Sequence, residues 1–476
     1  MTSSGYEPVI GLEIHVQLRT NTKMFCGCEL SFGDPPNVHT CPVCLGLPGA
    51  LPVVNARAIH YALMVGMALG CELAPRSIFH RKNYFYPDLP KGYQISQYDI
   101  PICSGGRLGE VRIHRAHLEE DAAKLIHVGA SGRIHGADAS VVDYNRGGTP
   151  LVEIVTEPDV RSAAQAREWL TLLRETLRQL GVSDVNMEEG SLRCDANVSI
   201  RPTGSTELGT KAELKNMNSF RYLERGVEAE IARQIALVQS GEEVVQETLH
   251  YDPVSGTISS LRSKEEAHDY RYFPEPDLVP VVLTEPMIET ARAELPELPA
   301  QRAERYEQEL GLTADSARLF AFRTDLGNYF EAALAVDGES PQVLANWISG
   351  ELVARLGDDD PAGSKVTPAA LAQLVALVRG KQVTQGAAKT VLDRLVADGG
   401  DPQAIVEAEG LGAIGGGDEL AEVVKRALES DPAAVEKLKA GNMKAIGPIV
   451  GFVMRETKGR ADGGEVNRLV REQLGL

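Results

Sequence analysis

Residues Arg115–Lys124 read RAHLEEDAAK, which sets Glu119, Glu120 and Asp121 side by side between Arg115, His117 and Lys124. Adjacent carboxylates repel one another. Either they sit solvated in an exposed turn, or they await a hard cation, which prefers carboxylate oxygens. Other acids stand in strand-like settings. In VIGLEIHVQL (Val9–Leu18), Ile10, Leu12, Ile14, Val16 and Leu18 alternate with Glu13, His15 and Gln17, the period of a half-buried strand. In PLVEIVTEPD (Pro150–Asp159), Glu153 shares a face with Leu151 and Val155, a costly place for a carboxylate without a partner. Glu119 follows the strand-like EVRIHRAH. Strands bring distant residues together, so Glu13, His15, Glu119 and Glu153 can surround one cation, and such a set suits Mg²⁺ or Mn²⁺ better than zinc. Spacing alone leaves the solvated turn open.

A softer set stands nearby. Cys26-x-Cys28 and Cys41-x-x-Cys44, twelve residues apart among Gly27, Gly33 and Pro42, can close a tetrahedron around a structural Zn²⁺. Free buried thiols are the alternative. Seven cysteines, an odd number with four of them crowded together, argue against a secreted disulfide framework. RKNYFYPDLPKGYQISQYD (Arg81–Asp99) interleaves Arg81, Lys82 and Lys91 with five aromatic rings. Such a loop can hold phosphates and stack a base, or simply be anchored by its tyrosines. NRGGTP (Asn145–Pro150) joins two strands; Gly147 and Gly148 can offer N–H groups to a phosphate beside Arg146, or form a plain tight turn. Neither G-x-x-x-x-G-K-[ST] nor G-x-S-x-G occurs, so neither a P-loop nor a serine-hydrolase elbow is expected.

Around these pieces the first ~290 residues read as mixed strands and helices. SLRCDANVSI (Ser191–Ile200) alternates like the first strand. Arg161–Leu180 carries an apolar stripe through Trp169, Leu173 and Leu177 and stops at Gly181; Leu223–Val238 is a second helix. From about Met287 the periods are helical, with breaks at Asp337–Pro341, Gly357–Gly363 and Gly410–Glu419. The expected class is α+β: a large mixed domain (1–292) with a mostly antiparallel sheet, an all-helical domain (293–409) and a small helical tail module (410–476). Net charge is −19, yet residues 437–476 hold eight Lys/Arg against four Asp/Glu. Lys437, Lys439, Lys444, Arg455, Lys458 and Arg460 are therefore the candidates for contacting nucleic acid. The N-terminus lacks a signal-peptide pattern and no apolar run is long enough to span a bilayer, so a cytoplasmic protein without membrane contact is expected.

Several long motifs occur in a recognisable order: VIGLEIHVQL, CPVCLGLPGALPVVN, RKNYFYPDLPKGYQISQYD, HLEEDAAK, VDYNRGGTPLVEIVTEPD, GSLRCDANVSI, ELKNMNSFR and DYRYFPEPDL. Together with the tail KAIGPIVGFVMRETKGRAD, they closely resemble the B subunit of the glutamyl/aspartyl-tRNA amidotransferase across nearly the whole chain. The resemblance implies a heterotrimer, in which an amidase-type A subunit releases ammonia from glutamine and a small C subunit clasps A and B. The B subunit would bind mischarged tRNA and use ATP to phosphorylate the side-chain carboxyl of its glutamate or aspartate. Ammonia arriving through a channel would then displace phosphate, giving Gln-tRNA or Asn-tRNA. A glutamyl- or aspartyl-tRNA synthetase is a further candidate partner, and which tRNA is used depends on the synthetases present.

Motif by motif, the resemblance points to a cradle-shaped domain in which Glu13, His15, Glu119 and Glu153 hold Mg²⁺, with Glu120 and Asp195 as neighbours. Arg146, Lys211 and Lys215 would help with the phosphates, Arg146 and Lys215 in catalysis as well. Two features depart from the pattern. Ala123 stands where glycine is expected, harmless if its φ is negative. The four-cysteine cluster belongs to only some members, which makes its zinc structural. A rival reading is a non-catalytic, zinc-bearing tRNA-binding scaffold whose carboxylates form a wet sheet face; a metal-dependent phosphoesterase is a third.

Overall fold

The alternating run Val9–Leu18 falls in strand β1 (Tyr6–Gln17), and its neighbours come from distant parts of the chain. In the computed structural model, residues 5–128, 137–217, 219–253, 255–263, 270–336, 340–357, 359–414, 418–457 and 459–475 are described. Strands β2 (Val111–Glu120), β3 (Pro150–Thr156), β4 (Leu192–Pro202) and β5 (Ala212–Met217) complete the middle of a ten-stranded sheet, in the order β5-β4-β1-β3-β2. Every pairing among these five is antiparallel. The parallel exception lies outside them, between β5 and Glu247–Asp252. This is the α+β class with a mostly antiparallel sheet expected from the sequence.

Side chains alternate across the pleat, so each strand has two unlike faces. Ile10, Leu12, Ile14 and Val16 point to one side with Val152, Ile154, Leu118, Cys194, Ala196 and Leu214, all buried. Three helices cover that side: α1 (Ala56–Ala68), α2 (Ala163–Leu180) and α3 (Phe220–Ser240). Helix α2 starts two residues later than its apolar run, because Ser162 is extended and its hydroxyl accepts the Gln165 N–H. It ends at Gly181, whose φ of 68° suits a left-handed cap. Helix α3 approaches the sheet at Gly226, where a Cβ would lie 3.1 Å from Met217 Sδ. The apolar side is thereby sealed, and the polar side is left for chemistry.

Residues 1–299 form one compact unit and 300–476 another. The second unit is helical from Pro299–Gln308 to Gly463–Leu474, with separate apolar cores over residues 306–411 and 420–470. No helix among the described residues is long and apolar enough to cross a membrane.

Candidate metal and phosphate site

Register builds the site. His15 on β1 lies directly opposite Glu153 on β3, and Glu153 lies opposite His117 on β2. Glu119, two residues beyond His117, falls on the same face beside Leu151. His15 Nε2 stands 3.6 Å from Glu119 Oε1 and 3.4 Å from Glu153 Oε2, and His117 Nε2 is also 3.4 Å from Glu153 Oε2. Ser96 Oγ donates to Glu119 Oε2 at 3.3 Å. One donor atom each from His15, Glu119 and Glu153 lies within 4.8 Å of the others.

The electrostatics of the cluster suit a bound positive charge. Burial pushes the Glu119 carboxyl above its usual range, and the Glu153 charge pushes it further. Burial acts on Glu153 in the same direction, but His117, His15 and Lys82 outweigh it and hold Glu153 well below its ordinary value. His15 rises to about 9: burial opposes its charge, while its hydrogen bond to Glu153 and both carboxylates more than compensate. His117 falls to about 4 through burial, and Nδ1 of its buried ring has no hydrogen-bond partner among the described residues. Three gathered donors with an excess of carboxylate oxygen fit a hard divalent cation.

The three acids of the opening motif go three ways. Glu119 enters the cluster. Glu120, one residue on, turns to the opposite face, where it pairs with Lys91 and accepts the Ile95 N–H at 2.9 Å. Asp121, just beyond the strand, accepts from Arg146 Nε at 2.9 Å, Arg193 Nη2 at 2.8 Å and Gln17 Nε2 at 2.8 Å. Its burial would raise its pKa, but Arg193 and Arg146 hold it low. All three are buried, which excludes the solvated turn.

Glu13 stays outside the three-donor group. Its cross-strand neighbours are Val155 and Asp195, and its Oε1 accepts from Asn197 Nδ2 at 2.8 Å. Asp195 sits beside it, with Lys215 Nζ 3.6 Å from Asp195 Oδ2 and 3.6 Å from Glu213 Oε1. Burial opposes the Lys215 charge, but Asp195, Glu213 and Glu13 raise its pKa. Lys211 is exposed at the rim of a cleft of about 210 Å³ that also reaches Glu13. Arg146 is engaged with Asp121, next to a cavity of about 510 Å³ bounded by Gln17, Arg19 and Lys124.

Of the two readings open for the NRGGTP glycines, the backbone bonds favour one. Gly147 N–H donates to Tyr144 O at 3.1 Å and Gly148 N–H to Asp121 O at 2.8 Å, so neither is directed at a phosphate. The plain-turn alternative holds there, with Gly148 at a φ of +89°. Much of the Arg81–Asp99 loop is likewise anchored: Arg81 forks onto Glu275 at 2.7 and 2.8 Å, and Tyr98 stacks on Tyr272 at 4.3 Å. Ala123 is not among the residues with positive φ, as its substitution for glycine requires.

Sequence reasoning gave His117 and Arg193 no part in the site and tied Lys82 only to a loop that can hold phosphates, not to this cluster. His117 was detectable, since period two places it on the face of Glu119. Lys82 arrives on a separate three-stranded sheet, where Glu119 and Glu153 raise its pKa although burial opposes its charge, and nothing local announces that.

The four thiols of Cys26, Cys28, Cys41 and Cys44 also lie within 4.8 Å of one another. A tetrahedral zinc with Zn–S bonds of ~2.3 Å needs sulfurs about 3.8 Å apart, so the set fits. Cys44 is pulled down to about 4, chiefly by the hydrogen bond from Cys26, with help from the Cys41 N–H and the Lys23 charge. The Cys41 N–H and the Lys23 ammonium suit a metal-bound Cys44 thiolate equally well, while the Cys26 proton would leave on metal binding. In the tail, Lys437, Lys439, Lys444 and Arg455 are exposed, while Arg460 is half-buried with Nε donating to Thr457 O at 3.1 Å. Lys458 lies outside the described residues.

A sheet with one sealed apolar face and one face of carboxylate, imidazole and lysine is a charged platform whose gathered donors could hold a cation. The profile of the GatB/GatE catalytic domain matches residues 8–289, and that of the GatB domain matches residues 328–474. A protein of Anaeromyxobacter sp. (strain K), named as the B subunit of an aspartyl/glutamyl-tRNA(Asn/Gln) amidotransferase, is 50% identical over the full length of both chains. Proteins of the same name from Frankia casuarinae and Persephonella marina are 50% and 48% identical, covering 99% and 98% of this chain and 96% and 99% of their own. The chain belongs to the B-subunit family of the aspartyl/glutamyl-tRNA(Asn/Gln) amidotransferases.

Proposed function

We propose that this chain is the B subunit of an ATP-dependent tRNA amidotransferase and that the face around His15, Glu119 and Glu153 is its phosphorylation site. The gathering of those three donors, in a chain matching such subunits end to end, carries the reading. Magnesium bound there would neutralise phosphate charge as the γ-phosphoryl group of ATP passes to the glutamate or aspartate carboxylate of a mischarged tRNA. Glu119 and Glu153 would hold it, with His15 as the nitrogen donor. Glu13 and Asp195 lie one strand position away, close enough to orient Lys215. Lys215 and Lys82 would offer positive charge to phosphoryl oxygens, with Arg146, held by Asp121, and Lys211 at the margins. Ammonia from an amidase-type A subunit, clasped by a small C subunit, would then displace phosphate from the acyl phosphate.

The four-thiol knuckle is assigned to a structural zinc, and the basic tail from about residue 410 to tRNA. The test is ADP release by the assembled complex with ATP, Mg²⁺ and mischarged tRNA. The expected result is ADP formed in step with amidation and lost in a Glu153→Gln complex. ADP release by that variant at the wild-type rate would place the chemistry elsewhere and leave this chain a tRNA-binding scaffold.

A further inference from the structure

The cysteine loop is stitched onto the turn that carries Arg146. Asn37 Oδ1 accepts the Tyr144 N–H at 2.8 Å and its Nδ2 donates to Val142 O at 3.1 Å. His39 N–H donates to Asn145 Oδ1 at 2.9 Å, and Asn145 Nδ2 returns a bond to Pro35 O at 2.8 Å. Asn37 holds a φ of 63°, a left-handed conformation that asparagine and glycine adopt more readily than other residues. From the other end of the loop, Met24 N–H donates to Gly148 O at 2.7 Å. Lys23, only 1% exposed, donates from Nζ to Tyr144 O at 2.9 Å and lies 3.7 Å from Cys44 Sγ. From this turn, Arg146 grips Asp121, two residues from Glu119, and Asp121 in turn holds Gln17, two residues from His15.

We propose that the cysteine knuckle is the mount of the Arg146 turn, with Lys23 and Asn37 as the positioning residues. A soft divalent cation gathering the four thiols keeps a negative sulfur cluster beside the buried Lys23 ammonium, and Lys23 with Asn37 then fixes Val142–Gly148. Without the cation nothing ties Cys26 and Cys28 to Cys41 and Cys44, so the loop that carries Asn37 and His39 can shift and take Cys44 away from Lys23. An ammonium buried short of partners is costly, so the contact to Tyr144 loosens and Arg146 drifts from Asp121. The catalytic consequence rests on the phosphate role proposed above for Arg146; the mount does not.

Hydrogen exchange on the full-length chain tests the coupling, with zinc bound and after removal by a chelator. The amides of Gly147, Gly148 and Thr149, which donate to Tyr144, Asp121 and Arg146, should exchange about tenfold faster once zinc is gone, while β4 keeps its protection. Asn37→Gly tolerates the left-handed backbone but removes the side-chain bonds, so it should loosen the same amides with zinc still bound. Lys23→Met should release zinc to a colorimetric chelator faster than wild type, with Lys23→Arg partly restoring retention. If Lys23→Met does not fold, the solvent-exposed Asn37 variant decides. Unchanged protection at 147–149 in both zinc-stripped wild type and Asn37→Gly overturns the mount. In the assembled complex, Asn37→Gly should raise KM for ATP with little change in kcat. Loosened amides with an unchanged KM would uphold the mount and refute the phosphate role of Arg146 instead.

Discussion

Replacing Glu119 by Gln separates the cation-binding role of the cluster from its structural role, because the two respond differently. His15 is 3.6 Å from Glu119, and unit charges at that distance attract by about 4.6 kcal/mol at an effective dielectric of ~20. The paired oxygens of Glu153 and Glu119 are no farther than 4.8 Å apart, a repulsion of at least about 3.5 kcal/mol on the same scale. The two nearly cancel. Burial raises the Glu119 pKa and so works against its charge, and a neutral amide of the same shape therefore costs the metal-free fold little. A hard cation loses a ligand outright. At a concentration 100 times its Kd a bound cation stabilises by about 2.7 kcal/mol; if the substitution weakens binding about 100-fold, about 0.4 kcal/mol remains. At ~2 °C per kcal/mol for a large unit, the metal-induced rise in Tm should shrink from about 5 °C to under about 1 °C, with the metal-free Tm nearly unmoved. Thermal unfolding with and without Mn²⁺ reads both. On the assembled complex, ADP release and ammonium-dependent amidation should fail while basal glutaminase survives. A metal-induced shift as large as in wild type, or near-normal ADP release, would refute the assignment of Glu119 as a ligand. A metal-free Tm lower by several degrees would instead show that the charge balance is wrong.

Cys41→Ser should abolish zinc in the purified chain, about one per chain in wild type, and lower its Tm; full retention by elemental analysis would remove the four-thiol site. Deleting residues 418–476 removes the exposed Lys437, Lys439, Lys444 and Arg455, so tRNA affinity should fall and its log–log salt slope should flatten by up to about 3. Equal affinity and slope would give the tail another task. His15 is held up to about 9 by Glu153 and Glu119, so with no cation competing its contribution to stability is whole below its ordinary 6.5 and is lost as pH rises through about 9. Denaturant melts of His15→Gln in chelator should therefore show a flatter decline between those two values. A slope matching wild type would mean that His15 is not charged in the metal-free fold.

What the sequence determined by itself was local. Period two put Ile10, Leu12, Ile14 and Val16 on one side of β1 and Glu13, His15 and Gln17 on the other, because alternation is a property of an extended backbone whatever it pairs with. The same rule already separated Glu119 from Glu120, and it carried His117 along with Glu119. Helix ends were legible where Ser162 and Gly181 supply their own hydrogen-bond chemistry. The gathering of four thiols followed from two close pairs on turns. Only pairing between distant strands could decide which acids meet. The antiparallel register sets His15 against Glu153 and Glu153 against His117, yet moves Glu13 along to Asp195 and Asn197, although Glu13 and His15 share a face and a motif. Asp121 finds Arg146 and Arg193, 25 and 72 residues further on, and Lys82 reaches the cluster from another sheet. A carboxylate's neighbours in sequence fix only the face it lies on. Its charge, its partners and its capacity to hold a cation come from groups that folding brings within a few ångströms, where the interaction falls off with distance and burial removes the water that would screen it.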